Sequence, residues 1–252
     1  MVSEPAAAPA RWIDVAPERF PGWIESFGGR HGAVRIAGGD AEPDGAVVFV
    51  AADGAVARAH APFAPVPGLT GAREPGDREP VDQGSVGQGF AGQDPGEVAR
   101  VIAAHAAAGR TVGVLLVRLG GYAAGVFTGA PPRLADSKVG SRLVHGRSAA
   151  GGQSQQRFAR RREKQAAEAL GAAADTAAAV FGRSGRPLDA LVLGGDRRAV
   201  AGLRDDPRLR RYFAVAVERF LTTPDPRLAV LRETPKAFRA IRVQLTEPAV
   251  RD

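Results

Sequence analysis

His145-Gly146-Arg147-Ser148-Ala149-Ala150-Gly151-Gly152-Gln153-Ser154-Gln155-Gln156-Arg157-Phe158-Ala159-Arg160-Arg161-Arg162-Glu163-Lys164 is the stretch that decides how the second half of the chain is built. Glycine takes backbone angles barred to other residues and lets a chain approach a ligand closely, so Gly151-Gly152 predicts a loop tip. Directly behind it the loop ends and a helix pattern begins. At about 100° per residue from Arg157, the side chains of Arg160, Arg161 and Lys164 fall within a sector roughly 100° wide. Phe158, Ala169, Leu170, Ala173, Ala177, Val180 and Phe181 fall on the opposite side. The spacing predicts one helix from about Ser154 to Phe181, stopped by Gly182, with an apolar face for a sheet and a cationic face for solvent or a polyanion. Arginine offers a fixed fork of donors that suits phosphate. Read blandly, the same charge run is a solvated face in which Glu163 and Glu168 neutralise part of the excess.

Working outward, Thr111–Leu119 reads as a strongly apolar strand and Gly120-Gly121 as a turn. Tyr122–Phe127 is its return strand, and Arg133–Val139 is a third after Pro131-Pro132. Beyond the helix, Leu188–Leu193 reads as a buried strand. Gly194-Gly195-Asp196 is a strand-to-helix corner leading into Arg197–Leu203, since neither the dinucleotide glycine spacing nor a P-loop lysine is present. Phe213–Val217 is a further strand candidate, and Asp225–Leu231 and Pro235–Val243 complete the domain. The expected class is α+β or α/β, a mixed sheet with helices packed on it.

Residues 1–92 are expected to form a small α+β N-terminal region that ends in a Pro/Gly/Gln-rich linker, and residues 93–248 the second domain. Phe20, Trp23, Ile24 and Phe27 mark one helix face behind Pro17, with Gly28-Gly29 as its stop. Ala33–Ala37 and Ala46–Ala52 read as strands, and Asp53-Gly54 turns the second of them into Ala55–His60. Pro62–Gly96 has no periodicity. Its Gln83–Gly89 segment echoes the glycine-glutamine tip but has no basic helix behind it, and it reads as a surface loop. Asp94 caps a helix that begins at Pro95, carries Val98, Val101, Ile102 and His105, and ends at Gly109.

Composition narrows the function. Lys plus Arg number 34 against 27 for Asp plus Glu, a formal charge of +7, which suits a polyanionic partner. There is no cysteine, so disulfides and thiolate metal sites are excluded. The histidines at 31, 60, 105 and 145 do not fall at zinc-ligand spacing. No leader pattern or run of about 18 apolar residues occurs, so a cytoplasmic protein is expected. Nucleophile-elbow, zincin and Walker motifs are missing. What remains is positioning chemistry, with backbone amides and one glutamine side chain orienting water in an RNA-bound site. Glutamine donates and accepts hydrogen bonds but is no general base at neutral pH.

His145-Gly146-Arg147, Gly151-Gly152-Gln153-Ser154 and Arg157-Phe158-Ala159-Arg160 resemble the middle domain of the archaeal and eukaryotic class-1 translation release factors. The hairpin Val112–Phe127 and the turn after Leu191-Val192-Leu193 fit the same domain, and the resemblance covers about residues 95 to 245. Ser148-Ala149-Ala150 lengthens the loop before Gly151, no codon-reading motif precedes the domain, and no third domain follows. The chain therefore resembles more closely the release-factor-like (Vms-type, actinobacterial branch) peptidyl-tRNA hydrolases of ribosome rescue.

That resemblance implies catalytic roles for Gly151, Gly152 and Gln153 at the peptidyl-transferase centre of the large subunit. It also implies contacts to rRNA or tRNA from Arg157, Arg160, Arg161 and Lys164, supported by Arg142, His145 and Arg147. The implied partners are the ribosome, peptidyl-tRNA and rRNA, with no cofactor, metal, membrane or DNA. Cleavage at the tRNA 3′-CCA end and a non-catalytic ribosome- or RNA-binding module are the alternatives.

Overall fold

Two five-stranded sheets divide the chain. The computed structural model describes residues 10–37, 45–67, 92–118, 120–141 and 154–248, the side chains of 154–163 excepted. In chain order the first half holds β1 (Arg11–Val15), α1 (Phe20–His31), β2 (Val34–Ala37), β3 (Val47–Ala51), β4 (Val56–His60) and α2 (Pro95–Ala107). The second holds β5 (Val112–Arg118), β6 (Gly121–Thr128), β7 (Arg133–Ser141), α3 (Ser154–Gly182), β8 (Ala190–Gly195), α4 (Arg197–Ala201), α5 (Arg210–Phe213), β9 (Ala216–Leu221), α6 (Leu228–Phe238) and β10 (Ile241–Thr246).

The chain divides between Ala108 and Gly109 and again between Phe238 and Arg239. This division differs from a boundary at residue 92. α2 belongs to the first unit because Val98, Ala99, Ile102, Ala103 and Ala106 share a core with Phe20, Ile24, Phe27 and Phe49. β10 belongs there too, inserted antiparallel between β1 and β4. The first sheet is antiparallel throughout, in the order β1-β10-β4-β3-β2.

Within the first unit the aromatic stripe forms the expected helix face. Phe20, Trp23 and Phe27 lie in sequence along α1, their neighbouring ring centroids 6.4 and 5.7 Å apart. The helix does not stop at Gly28-Gly29. It runs on to His31 and ends at Gly32, whose φ of 85° needs a residue without Cβ. Asp53 and Gly54 make the expected turn between β3 and β4. α2 begins as read, with the Asp94 carboxylate accepting from the Glu97 N–H at 2.8 Å. It ends at Ala107, two residues before Gly109. His105 is half-buried, its Nε2 3.0 Å from the Phe63 carbonyl oxygen.

The second sheet is mixed, in the order β7-β6-β5-β8-β9. β5, β6 and β7 form an antiparallel meander, and β8 and β9 add in parallel to β5 and to each other. α3 packs on one face through Ala173, Ala177, Val180 and Phe181 against Leu115, Val117, Ala124, Val126, Leu191 and Leu193. α6 packs against the same sheet, where Phe127 and Phe238 meet edge to face at 5.7 Å.

Two elements near the end depart from the sequence reading. The strand expected at Phe213–Val217 begins later, at Ala216, because Arg210–Phe213 is a helical turn that buries Tyr212 against Phe181. Pro235 lies inside α6 instead of opening a new element. Proline has no N–H for the carbonyl four residues back, which is that of Leu231. The buried Thr234 hydroxyl donates to that carbonyl at 2.7 Å, so it keeps a partner.

Candidate functional site

The residues singled out in the sequence cluster between β7 and α3. β7 ends at Ser141 and α3 begins at Ser154. Arg142, His145, Arg147, Gly151, Gly152 and Gln153 lie in the intervening segment, outside the described residues, as does Gln83–Gly89. Arg157, Arg160 and Arg161 lie on α3, with side chains outside the described set. Lys164 is exposed.

α3 follows this segment directly in the chain. The helix spans 29 residues, about 43 Å at 1.5 Å per residue, whereas the nine residues of β7 extend about 30 Å. Among its described side chains, full burial starts only at Ala173. From Lys164 on, α3 therefore packs through the part from Ala173 to Phe181. Lys164, Glu168, Gly171 and Asp175 line its exposed side, spaced by three or four residues, opposite Ala173, Ala177 and Val180. From Lys164 on, buried and exposed sides fall where the periodicity predicts them, while the side chains of Arg157, Arg160 and Arg161 lie outside the described set.

β5, β7, β8 and β9 run in one direction, so all four end at the side of the sheet from which residue 142 departs. The carboxyl ends of parallel strands are where open α/β sheets gather ligand contacts. Arg118 closes β5 there, donating to the Thr223 carbonyl at 2.7 Å and lying 3.8 Å from Asp225. Arg197 opens α4 at the same side, its guanidinium 4.3 Å from the centre of the Phe220 ring. Asp196 caps that helix through hydrogen bonds from the Arg198 and Ala199 N–H groups at 2.7 and 3.3 Å. At Gly195, φ is 99° and an added Cβ would overlap the Val117 carbonyl oxygen, so the corner accepts only glycine.

Sequence reading did not select Arg118 or Arg197. The parallel pairing of β5 and β8 is the signal that would have singled them out, and it is a long-range one. The other charged contacts of this unit lie elsewhere. Arg183 pairs with Asp136 at 2.9 Å, and Arg208 is bound by Asp206 and Asp175. Burial pulls the Arg110 guanidinium below its ordinary range, against the opposing pull of Asp189.

Among the described residues no group of three or more His, Asp or Glu side chains is placed to hold a metal ion. No described helix is long and apolar enough to cross a membrane. No curated protein matches the sequence. The model of the family described as Actinobacteria/chloroflexi VLRF1 release factor matches residues 110–244, more than half of the chain, spanning β5 to β10 and the whole of α3. The chain belongs to this family of release factors, and its role is release-factor-like.

Proposed function

We propose that the protein is a cytoplasmic, codon-independent peptidyl-tRNA hydrolase that frees nascent chains from stalled ribosomes. The observation that carries this reading is the position of Gly151-Gly152-Gln153 within a release-factor match, immediately before the first residue of a 29-residue helix.

The reaction needs no strong base on the protein. Water attacks the ester carbonyl carbon that joins the peptide to the 3′ oxygen of the terminal ribose, and negative charge collects on the carbonyl oxygen. The carbon–oxygen bond to the ribose then breaks, and the proton shed by the water ends on the 3′ oxygen, giving a free peptide acid and an intact tRNA. Gln153 orients the water through its side-chain amide, and its backbone N–H donates to the developing oxyanion. Gly151 and Gly152 allow the backbone to come that close. Arg157, Arg160, Arg161 and Lys164, with Arg142, His145 and Arg147, hold phosphates of rRNA or tRNA in the large subunit and fix the tip's position.

The test is single-round release from stalled 70S and split 50S complexes. Gln153→Ala keeps the backbone N–H but removes the side-chain amide that orients the water, and it lowers the release rate by about 10²-fold with melting unchanged. Release by that variant at the wild-type rate would remove Gln153 from the mechanism. Sequencing the tRNA 3′ end after reaction shows an intact CCA tail if the ester is cut, and a shortened one if the protein is a nuclease.

A further inference from the structure

The sheet of the first unit carries α1 and α2 against one face, and its other face has a composition of its own. Side chains alternate along each strand, so the residues between the buried Ala57, Ala59, Ile241, Val243 and Leu245 share the opposite side. Across the strands, Trp12 stands opposite Gln244 and Gln244 opposite Arg58. One pair further along, Asp14 stands opposite Arg242 and Arg242 opposite His60. On the other side of Trp12, the row runs Thr246, Val56, Val50 and Arg35.

Trp12, on the edge strand β1, is 50% exposed. The Arg242 guanidinium lies 4.4 Å from its ring centre, and the His60 ring lies 5.2 Å away, tilted by 47°. Arg242 is in turn 3.7 Å from Asp14. The indole is thus oriented by its neighbours while half of its surface remains in water. Among the described residues of the strands, the arginines at 35, 58 and 242 and the carboxylate of Asp14 share this side. From β1 to β2 the face spans four strand spacings, about 19 Å.

An oriented aromatic ring among arginines is what unpaired RNA requires. Exposed bases stack on aromatic side chains and on guanidinium planes, and cations hold the phosphates between them. A duplex offers no base faces for such stacking. We propose that this face is a platform for a single-stranded stretch of RNA, with a base stacked on Trp12 and phosphates further along the strand on Arg58 and then Arg35. The platform lies on the first unit and does not depend on Gln153. It stands if the hydrolase reading fails.

The chain has two tryptophans, Trp12 and Trp23, so Trp23→Phe leaves Trp12 as the single emitter. In the full-length protein, a twelve-nucleotide oligoadenylate quenches Trp12 emission saturably, with a midpoint that rises with salt. In anisotropy titrations of the otherwise wild-type chain with the same labelled oligonucleotide, Trp12→Ala weakens binding roughly tenfold, Trp12→Phe retains most of it, and Arg58→Glu weakens it further. RNA that binds without changing Trp12 emission, and equally to Trp12→Ala and Arg58→Glu, would overturn the proposal. So would a preference for a duplex of the same length. Emission that follows protein concentration alone, without RNA, would assign the face to a second copy of the chain instead.

Discussion

The two sheets have the same number of strands and opposite surfaces. In the first unit, β4 and β10 alternate strictly between buried and half-buried residues, because helices cover one side. In the second, β5 is buried for six consecutive residues and β8 for five, including Val114, Leu116 and Val192, which alternate with the residues facing α3. An antiparallel sheet with one wet face reads as alternation, and parallel strands covered on both sides read as unbroken apolar runs. Each unit therefore has its polar surface in a different place, on the open sheet face in the first and on the exposed side of α3 in the second.

The severest challenge to that comparison is to hollow out each core in turn. Phe49→Ala in the first and Phe127→Ala in the second each remove a side chain that is at most 1% exposed, and each is expected to cost about 3–5 kcal/mol. Hydrogen exchange then shows faster exchange in β3, β4 and β10 for the first variant, and in β5, β6 and β8 for the second. Loss of protection spread evenly over both sheets would mean that the units do not respond separately.

The location of the cationic surfaces gives the next largest effect. Replacing Arg157, Arg160 and Arg161 by alanine is expected to weaken ribosome binding and to lower the slope of log affinity against log salt by about 2, since each phosphate left without its cation removes roughly 0.7–0.9 from the slope. The same replacement leaves the quenching of Trp12 by RNA unchanged. An unaltered slope would make α3 a merely solvated helix.

Helix caps sharpen the comparison at about 1 kcal/mol. Asp94→Ala removes the carboxylate that accepts from the Glu97 N–H and is expected to cost about that much, read as a lower denaturant midpoint. Asp196→Ala removes two bonds but caps a helix of five residues, so the expected cost is similar or smaller.

Acid has the smallest effect, and it reaches both units. The Asp53 carboxylate is held below its ordinary value first by the Ala55 N–H and then by His31, and Asp206 first by the Arg208 guanidinium. A depressed carboxylate stabilises the fold above its unfolded value near 3.8 and loses that contribution as the pH falls through the lower, folded value. Melting curves from pH 6 to pH 2 are expected to decline less steeply in Asp53→Asn and Asp206→Asn than in the wild type. Asp53 is exposed and Asp206 half-buried, and the differences are small and sensitive to salt.

Local pattern made much of this architecture readable, and long-range pairing accounts for most of the remainder. The β5–β6 hairpin, α3 and the Asp53-Gly54 turn follow from neighbours within a few residues. The strand β1 was not legible, because Arg11 and Asp14 interrupt its apolar residues and its partner β10 is more than two hundred residues away. The reverse also holds. Ile241–Thr246 alternates well enough to be a strand, but nothing local says that it completes the first sheet. At the candidate site, the tip and basic helix were legible as residue types, whereas Arg118 and Arg197 come to one edge of the sheet only through the parallel pairing of β5 and β8.

The central position of β10 in the first sheet has a consequence for how the chain is made. Synthesis proceeds from the N-terminus, and domains fold as they emerge. β1 and β4 are among the first strands to appear, yet the strand that bridges them is residues 241–246, after the whole of the second unit. Until then both present unpaired edges, the templates on which chains aggregate. The second unit can close while the first still waits. A translation factor built this way is itself vulnerable to interrupted translation, because a chain halted before residue 241 lacks the strand that joins β1 to β4.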